Sequence, residues 1–283
     1  MRVLLVPNTA KAEAIEAATE VASWLADEGF EPVLLAADAR AAGLGDFGVE
    51  PEAIGETGLV VAFGGDGTIL RAVEVIGEAE VPVLGINLGR LGFLSGAGLG
   101  AMRSSIVDAL AGDVVVERRK TLRAEVEVDG APFGRFRALN EVVLARGGGA
   151  NRVVSVELLI AGTKVAHLRA DGIIVATPTG STAYALSAGG PIVSPEVSGL
   201  IVVPIAPHTL ASRPIVAGPS DTVEIIAAEP ERSESCLTID GDATPCRGRI
   251  SRLVVSRGET DVLLVKHDGR DFYRVVAQEF FGG

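Results

Sequence analysis

Short apolar runs alternate with helical apolar patterns over the first 118 residues of the chain. Runs such as residues 3–6 and 59–63, which are bounded by turn residues, are typical of buried strands. Between residues 10 and 28 the apolar side chains recur every three or four positions, which predicts a helix that Gly29 ends. Further strands are predicted at residues 33–36 and 81–86, and a further helix at residues 102–110. Strands that alternate with helices predict a parallel sheet, with ligands beyond the carboxyl ends of its strands.

The pattern changes to strand after strand near residue 119. Residues 122–128 alternate strictly between apolar and charged side chains, which is typical of a strand with one face in the core and one in water. The pair Asp129-Gly130 then predicts a hairpin turn. Other strand-like runs cover residues 137–145, 153–160, 172–177, 201–205, 221–227 and 252–256, and a helical pattern covers residues 182–188.

These patterns predict an α/β plus β architecture. A doubly wound α/β domain is expected at residues 1–118, and an antiparallel β-rich domain at residues 119–260. The tail, residues 261–283, is short and apolar, and we expect it to pack back on the first domain.

Composition excludes several classes of protein. Of the 283 residues, 48% are hydrophobic and 22% charged, which excludes a disordered chain. The net charge of −12 repels nucleic acid and anionic membranes, so a bound polyanion requires a local pocket. The two cysteines, Cys236 and Cys246, have neither the number of a disulfide framework nor metal-ligand spacing. With no apolar run as long as a membrane span or a signal peptide, we expect a cytoplasmic protein without nucleic-acid or membrane partners.

The stretch Gly64-Gly65-Asp66-Gly67-Thr68 joins a predicted strand to a predicted helix. Its glycines allow backbone N–H groups and a helix N-terminus to approach a phosphate closely. A carboxylate repels phosphate unless a metal or a proton transfer involves it, so Asp66 is a candidate general base or metal contact. The alternative is a simple turn in which Asp66 or Thr68 only caps the helix.

A second chemistry-bearing segment, residues 170–191, runs from a buried strand into a loop of small hydroxyl residues and then a short helix. Ser181 or Thr182 can cap that helix, and its free N–H groups suit phosphate or carboxamide oxygens. Tyr184 offers a ring face and a phenol to a base or a nicotinamide. The alternative is a capped turn in which Tyr184 is buried for packing.

The polar pair Asn140-Glu141 interrupts an apolar run and therefore requires buried partners. An amide beside a carboxylate can receive the vicinal hydroxyls of a ribose, whereas the alternative is an exposed pair at a strand edge. The glycine fingerprint GxGxxG does not occur in the sequence, so ordinary dinucleotide binding for hydride transfer has no support.

Together, the Gly64–Thr68 stretch, residues 87–94, Asn140-Glu141 and residues 171–191 resemble the NAD kinase family in order and spacing. The glycine-aspartate turn is shared with lipid kinases and phosphofructokinases, whereas residues 177–191 are far more specific. The resemblance implies phosphoryl transfer from ATP, or from polyphosphate, to the 2′-hydroxyl of the adenosine ribose of NAD, which gives NADP. It also implies an α/β domain followed by a β-rich domain, and a homodimer or homotetramer.

The resemblance further implies roles for single residues. Asp66 matches the proton acceptor, and Gly67 and Arg71 match positions near the reacting phosphates. The other positions that match nucleotide or dinucleotide contacts are Gly65, Thr68, Asn140, Glu141, Arg152, Arg169, Asp171, Thr182, Ala183, Tyr184, Ala185, Leu186 and Ser187. Asp242 stands where the family most often has glutamine, and an ionised carboxylate accepts hydrogen bonds but cannot donate them. This departure concerns a substrate contact and not the phosphoryl chemistry.

No all-protein metal cage is expected, so Mg²⁺ or another divalent metal would arrive with the phosphates. Two other functions compete. A lipid or sugar kinase could use the same turn, but it leaves residues 179–191 unexplained. A non-catalytic NAD(P) sensor is disfavoured by Asp66, because a pure binder gains nothing from an unpaired carboxylate that faces phosphate.

Overall fold

A computed structural model describes residues 1–89, 92–147, 153–209, 211–228, 235–266 and 272–282. The chain divides into two compact units, one formed by residues 1–118 with 262–283 and the other by residues 119–261. The elements before the second unit are β1 (Arg2–Pro7), α1 (Ala12–Asp27), β2 (Glu31–Leu35), α2 (Ala36–Ala42), β3 (Gly48–Val49), β4 (Thr57–Phe63), α3 (Asp66–Ile76), β5 (Pro82–Asn87), β6 (Ala97–Gly98), α4 (Met102–Ala111) and β7 (Val115–Arg119).

The second unit is made mostly of strands. Its elements are β8 (Leu122–Val128), β9 (Ala131–Ala138), β10 (Glu141–Arg146), β11 (Val154–Ile160), β12 (Thr163–Ala170), β13 (Gly172–Ala176), α5 (Tyr184–Ser187), β14 (Leu200–Ile205), β15 (Ile215–Ala217), β16 (Val223–Ala227), β17 (Ser235–Ile239), β18 (Asp242–Ala243) and β19 (Ile250–Arg257). The chain then continues into β20 (Val262–Lys266) and α6 (Phe272–Phe280). Single 3-10 turns lie at Gly45–Phe47, Pro51–Ala53, Leu99–Ala101 and Thr179–Thr182.

The described strands of the first unit form one sheet in the order β3-β2-β1-β4-β5-β20-β7, with β6 beside β5. Strands β2, β1, β4, β5 and β20 pair in parallel along this order. The central strands β1, β4 and β5 are almost wholly buried, as expected for a parallel sheet covered on both faces. In the register of β4 with β5, Phe63 lies opposite Ile86. The turn after β4 and the segment after β5 therefore start side by side at one edge of the sheet.

The C-terminal tail returns to the first unit, which confirms the expectation from its apolar pattern. Leu263 and Leu264 of β20 pair with Pro82 and Val83 of β5, inside the sheet rather than at its surface. The sequence analysis did not predict α6, although Phe272, Val275, Val276 and Phe280 follow helical spacing, because the tail was read only as a short apolar segment.

The described strands of the second unit form two six-stranded antiparallel sheets, so the predicted β-rich fold is confirmed. Their orders are β15-β14-β13-β10-β17-β18 and β12-β11-β16-β19-β8-β9. Apolar side chains of both sheets share one core, for example Val142 and Val175 from the first and Val126 and Leu253 from the second. The sheet of β10 and β13 has a second buried face, which packs against Ala185 of α5. The site-bearing strands of this unit are therefore apolar on both faces.

Some predicted elements differ from the structure. Residues 137–145 were predicted as one strand, but Leu139 and Asn140 separate β9 from β10 because their N–H groups bind a carboxylate instead of a neighbouring strand. Strand β12 was missed because most of its side chains are exposed and give no alternating pattern. Of the helices that the structure describes, none is both long and apolar enough to cross a membrane.

Candidate functional site

Asp66 is the first residue of α3, and its half-buried carboxylate contacts the segment that follows β5. The N–H of Phe93 donates to Oδ2 at 3.0 Å, and the N–H of Leu94 donates to Oδ1 at 3.2 Å. The Ser95 hydroxyl lies 3.4 Å from Oδ1 and donates to it. The protein therefore holds this carboxylate at the carboxyl edge of the sheet with donors from a different loop.

The capping alternative for this turn is wrong. The N-cap of α3 is Gly65, and no side chain makes a cap hydrogen bond there. Thr68 is instead a buried residue of the first helical turn, and a Cβ on Gly64 would overlap its hydroxyl. The structure thus explains Gly64 by a close approach to Thr68.

The remaining glycines around Asp66 lie in the turn and in the segment after β5, and their surroundings differ. A Cβ on Gly92 would overlap the Asp66 carboxylate, so only glycine leaves room for that group. Gly65 and Gly67 have open space where a Cβ would be. The N-terminal end of α3 is therefore approachable through these two residues, as phosphate binding at a helix N-terminus requires.

Arg71 lies on α3 and reaches back toward the end of β1. Its guanidinium binds both carboxylate oxygens of Asp38 on α2 and donates to the Pro7 carbonyl oxygen at 3.2 Å. The Asp38 side chain is 5% exposed and the Arg71 side chain 36%, so one end of the ion pair is buried and the other is accessible. Sequence reasoning missed Asp38, because a single carboxylate in a segment without a clear pattern carries no signal.

Asn140 and Glu141 are buried at the start of β10, which lies between β13 and β17. The alternative of an exposed pair at a strand edge is therefore wrong. The Asp240 carboxylate accepts hydrogen bonds from the N–H groups of Leu139 at 2.7 Å, of Asn140 at 2.7 Å and of Glu141 at 2.9 Å. Asp240 has a φ of 49° and stands before Gly241, so the turn geometry fixes the position of this carboxylate. The Asp-Gly pair was the available signal for it, and sequence reasoning singled out only the neighbouring Asp242.

Glu141 is electrostatically unusual. Burial, together with the charge of Asp240, raises the pKa of Glu141 to about 7, and a hydrogen bond from the Tyr184 backbone partly opposes this. Its Oε2 atom is buried and finds no hydrogen-bond partner among the described residues. Burial also raises the pKa of Asp240, against the effect of its three N–H donors and of the charge on Arg137. Glu141 is therefore a buried carboxyl group with an open acceptor position.

The hydroxyl-rich loop after β13 folds back on this pair. A Cβ on Gly180 would overlap the Asn140 carbonyl group, and the Thr177 hydroxyl donates to the Leu139 carbonyl oxygen at 2.6 Å. The buried Arg119 donates to the Thr179 hydroxyl at 3.4 Å. These contacts bring the loop against the start of β10.

The predicted caps in this loop are wrong, and so is the buried alternative for the tyrosine. The N-cap of α5 is Ala183, without a side-chain cap. The Ser181 hydroxyl instead bridges the backbone of Val193, with hydrogen bonds of 3.0 and 3.1 Å, and the Thr182 hydroxyl donates to the Thr179 carbonyl oxygen. Tyr184 is 46% exposed, so its ring is offered to solution.

The remaining predicted residues are spread along the second unit. Ala183 and Leu186 are partly buried, Ala185 is fully buried, and Ser187 is exposed. Arg169 is exposed on β12, and Asp171, before β13, lies 3.4 Å from Arg146 in an ion pair. Asp242 is exposed on β18, opposite Ile239. Arg152 lies outside the described residues, as do residues 90 and 91 of the segment after β5.

The structure does not bring all of these residues to one point. Glu141 pairs with Ala176 at the end of β13, whereas Asp171 precedes the start of that strand. Five residues of strand span roughly 17 Å at 3.4 Å per residue. The two groups can therefore contact only different parts of a long ligand.

Comparison with known proteins covers most of the chain. Residues 47–114 match the ATP-NAD kinase N-terminal domain, and residues 139–267 match the ATP-NAD kinase C-terminal domain. The chain is 42% identical to the NAD kinase of Symbiobacterium thermophilum over 282 residues, 98% of each chain. It is similar to yeast NADH kinase complexed with NADH, with a TM-score of 0.89 and 25% identity. This match covers 100% of the present chain and 87% of the yeast chain. It is also similar to an NAD kinase from Archaeoglobus fulgidus in complex with ATP, with a TM-score of 0.73 and 26% identity. This second match covers 100% of the present chain and 98% of the Archaeoglobus chain.

Proposed function

The chain belongs to the NAD kinase family and phosphorylates NAD, and on this premise we propose that Asp66 is the general base of the reaction. A ribose hydroxyl is a weak nucleophile, and phosphoryl transfer depends mostly on positioning and on neutralisation of charge. The hydrogen bonds from Phe93 and Leu94 fix the Asp66 carboxylate in one orientation. Its oxygens keep further lone pairs, because an ionised carboxylate accepts about four hydrogen bonds. This geometry supports a base that is oriented before the substrate arrives.

The proposed step is balanced as follows. The 2′-oxygen of the adenosine ribose forms a bond to the γ-phosphorus of ATP, and the bond from that phosphorus to the β,γ-bridging oxygen breaks. The hydroxyl proton passes to Asp66, and ADP leaves. ATP as the donor is supported by the family description and by the ATP complex of the Archaeoglobus fulgidus enzyme.

We propose that the donor phosphates bind at the N-terminal end of α3. Gly65 and Gly67 leave this end open, and Arg71 on the same helix, which is paired with Asp38, keeps a side chain that is 36% exposed. Helix N–H groups and a guanidinium are suited to phosphate oxygens. Magnesium would enter with ATP as part of the substrate and keep several of its waters. In the described parts of the chain, no group of three or more His, Cys, Asp or Glu side chains is placed to hold a metal ion.

For the dinucleotide, we propose that Asn140 and Glu141 bind a ribose. The open Oε2 position of Glu141 supports this, because a ribose hydroxyl would supply the missing donor. The exposed ring of Tyr184, whose backbone bonds to Glu141, is a surface on which a base can stack. Arg169 and Asp171 would contact a distant part of the same ligand, as the separation along β13 requires.

The competing functions are weaker on these grounds. The second half of the chain matches the NAD kinase C-terminal domain, which favours an NAD kinase over a lipid or sugar kinase. The sequence argument against a sensor assumed that Asp66 is an unpaired carboxylate. That argument does not hold, because Asp66 accepts hydrogen bonds from backbone N–H groups. The family membership, and not the mere presence of Asp66, favours an enzyme. A cytoplasmic location and a homodimer or homotetramer remain proposals, and light scattering on the purified protein tests the second.

The decisive experiment is an assay of the purified protein with NAD, magnesium and either ATP or polyphosphate. NADP is measured with an NADP-specific dehydrogenase, and a reaction without donor is the control. We expect NADP to form with ATP. Phosphorylation of a diacylglycerol or a hexose phosphate without NADP formation would instead support the other kinase classes, and NAD binding without any transfer would support a sensor.

A further inference from the structure

The segment of residues 92–96, which supplies the donors to Asp66, is enclosed from two sides. On one side Gly92 touches the Asp66 carboxylate so closely that a Cβ would overlap it. On the other side a Cβ on Gly96 would lie 2.5 Å from the carbonyl oxygen of Val265 in β20. The C-terminal part of the chain thus forms one wall of this segment.

Helix α6 contacts the same segment through an aromatic cluster. The ring of Phe93 has its centroid 6.0 Å from that of Phe272 and 6.0 Å from that of Phe280. The rings of Phe93 and Phe280 are stacked, with 19° between their planes. Phe272 and Phe280 are the first and last residues of α6, so both ends of the helix bear on one side chain. These separations are within the range of favourable aromatic pairs.

Phe93 is therefore a link between α6 and Asp66. Its ring is held by the helix, and its own N–H donates to Asp66 Oδ2 at 3.0 Å. Among the described residues of α6, Val276 is the buried one, so the helix contributes little to the core. The aromatic contacts are consequently a large part of what attaches it.

We propose that Phe272 and Phe280 are positioning residues for the reaction, and that α6 acts through Phe93 to hold Asp66 in the orientation that it needs as a base. This proposal rests on the proposed role of Asp66. The physical reason is that a misplacement of about 1 Å in a reacting group can lower a rate by roughly 10²-fold. A helix with no residue in the reaction can therefore control turnover without affecting substrate binding.

The first test compares two adjacent phenylalanines. Phe280→Ala removes the stacked ring, whereas Phe281→Ala removes a ring that is 76% exposed and lies outside the aromatic cluster. We expect Phe280→Ala to lower kcat by about three- to tenfold with the KM for NAD within about twofold, as for loss of a positioning contact. Phe280→Tyr keeps the ring and should restore kcat, and Phe281→Ala should match the wild type. Equal kcat values for all three variants would overturn the proposal.

The second test asks whether α6 acts through Asp66. In an Asp66→Asn background, Phe280→Ala should cause no further loss of kcat, although it should still lower the unfolding temperature. A further loss by the same factor as in the wild type would show that α6 acts on another group, and the proposal would be wrong.

A third test does not depend on activity. Hydrogen–deuterium exchange at the amides of Phe93 and Leu94 should become faster in Phe280→Ala and not in Phe281→Ala. Unchanged exchange in Phe280→Ala would refute the link between α6 and this segment. Faster exchange together with full activity of Asp66→Asn would instead confirm the link and refute the role of Asp66 as a base, so the two failures are distinguishable.

Discussion

The two predicted site carboxylates, Asp66 and Glu141, differ in burial and in hydrogen bonding. Asp66 accepts backbone hydrogen bonds on both of its oxygens and stands at a half-buried sheet edge. Glu141 is buried, its Oε2 has no partner among the described residues, and burial raises its pKa to about 7. Asp66 has hydrogen-bond donors on both oxygens before any ligand binds. Glu141 lowers the stability of the folded state until a ligand donates a hydrogen bond to its Oε2 atom. This contrast fits the proposed roles: Asp66 as a base must be oriented in advance, and Glu141 as a binding group must gain a hydrogen bond from the ligand.

The two carboxylates also arise from different kinds of sheet. In the parallel sheet, Asp66 follows from the topology, because the turns after neighbouring strands meet at the carboxyl edge. In the antiparallel sheet, Glu141 is placed by a break between β9 and β10 that Asp240 holds open. In this protein, topology places the site residue of the parallel sheet, whereas hydrogen bonds to Asp240 place that of the antiparallel sheet.

The largest effect is expected from Asp66→Asn. Asparagine keeps the shape but cannot take the hydroxyl proton, so turnover should fall by roughly 10²–10⁴-fold, the usual contribution of a positioned base. Binding of NAD, measured by calorimetry, should survive, because other groups hold the dinucleotide. Asp46→Asn, at an exposed position of the same unit, is the matched control and should keep wild-type turnover. Turnover within a few-fold of wild type in a folded Asp66→Asn protein would remove the assignment.

Gly92→Ala should have the next largest effect on the reaction. The new Cβ would overlap the Asp66 carboxylate, which must then rotate or lose its hydrogen bonds to the segment after β5. We expect turnover to fall by about 10²-fold, since the base is displaced by around 1 Å. Gly100→Ala is the control, because open space lies where its Cβ would be. If both variants keep the same turnover, the backbone donors do not matter for the position of Asp66.

Glu141→Gln should make the protein more stable and a poorer binder. Because the folded-state pKa of Glu141 is raised from 4.5 to about 7, the folded state binds the extra proton and stability falls as the pH rises through this window. The ionised form then costs up to about 3 kcal/mol above pH 7, a cost that the amide avoids. Chemical denaturation should show a gain for Glu141→Gln at about pH 8 that is absent at about pH 4.

The same variant should weaken NAD binding by about tenfold, the size of a hydrogen bond to a charged group. Glu196→Gln, at an exposed position, is its control and should change neither property. A stability gain that does not depend on pH would mean that ionisation of Glu141 is not the cause, and Asp240 would have to be tested in its place.

The smallest effect is expected from Asp242→Gln. Asp242 is exposed on the hairpin whose other strand leads into Asp240, so it can reach a ligand. The glutamine amide, which the family most often has at this position, should change the apparent affinity for NAD by up to about tenfold. Turnover at saturating NAD should change little. Kinetics at sub-saturating NAD that stay unchanged between about pH 5 and about pH 9 would place residue 242 outside the site.

Much of the fold and the main candidate groups could be predicted from the sequence. The period of the apolar residues separates the helices and parallel strands of the first unit from the hairpins of the second, because this period is a local property of the chain. The turn around Asp66 and the pair Asn140-Glu141 were found for a similar reason, since each places polar groups directly beside a buried strand. The resemblance that these residues carry identified the family.

The tertiary structure alone decided which group each polar side chain contacts. Asp66 binds N–H groups 27 and 28 residues away, Arg71 binds a carboxylate 33 residues away, and Asp240 binds N–H groups about 100 residues away. The local caps predicted from Ser181 and Thr182 were wrong, because their hydroxyls found partners in the folded loop. Hydrogen bonds of this kind are set by which segments the packed core brings together. Burial then sets the strength of these hydrogen bonds, because electrostatic interactions are stronger away from water and an unpaired buried polar group is costly.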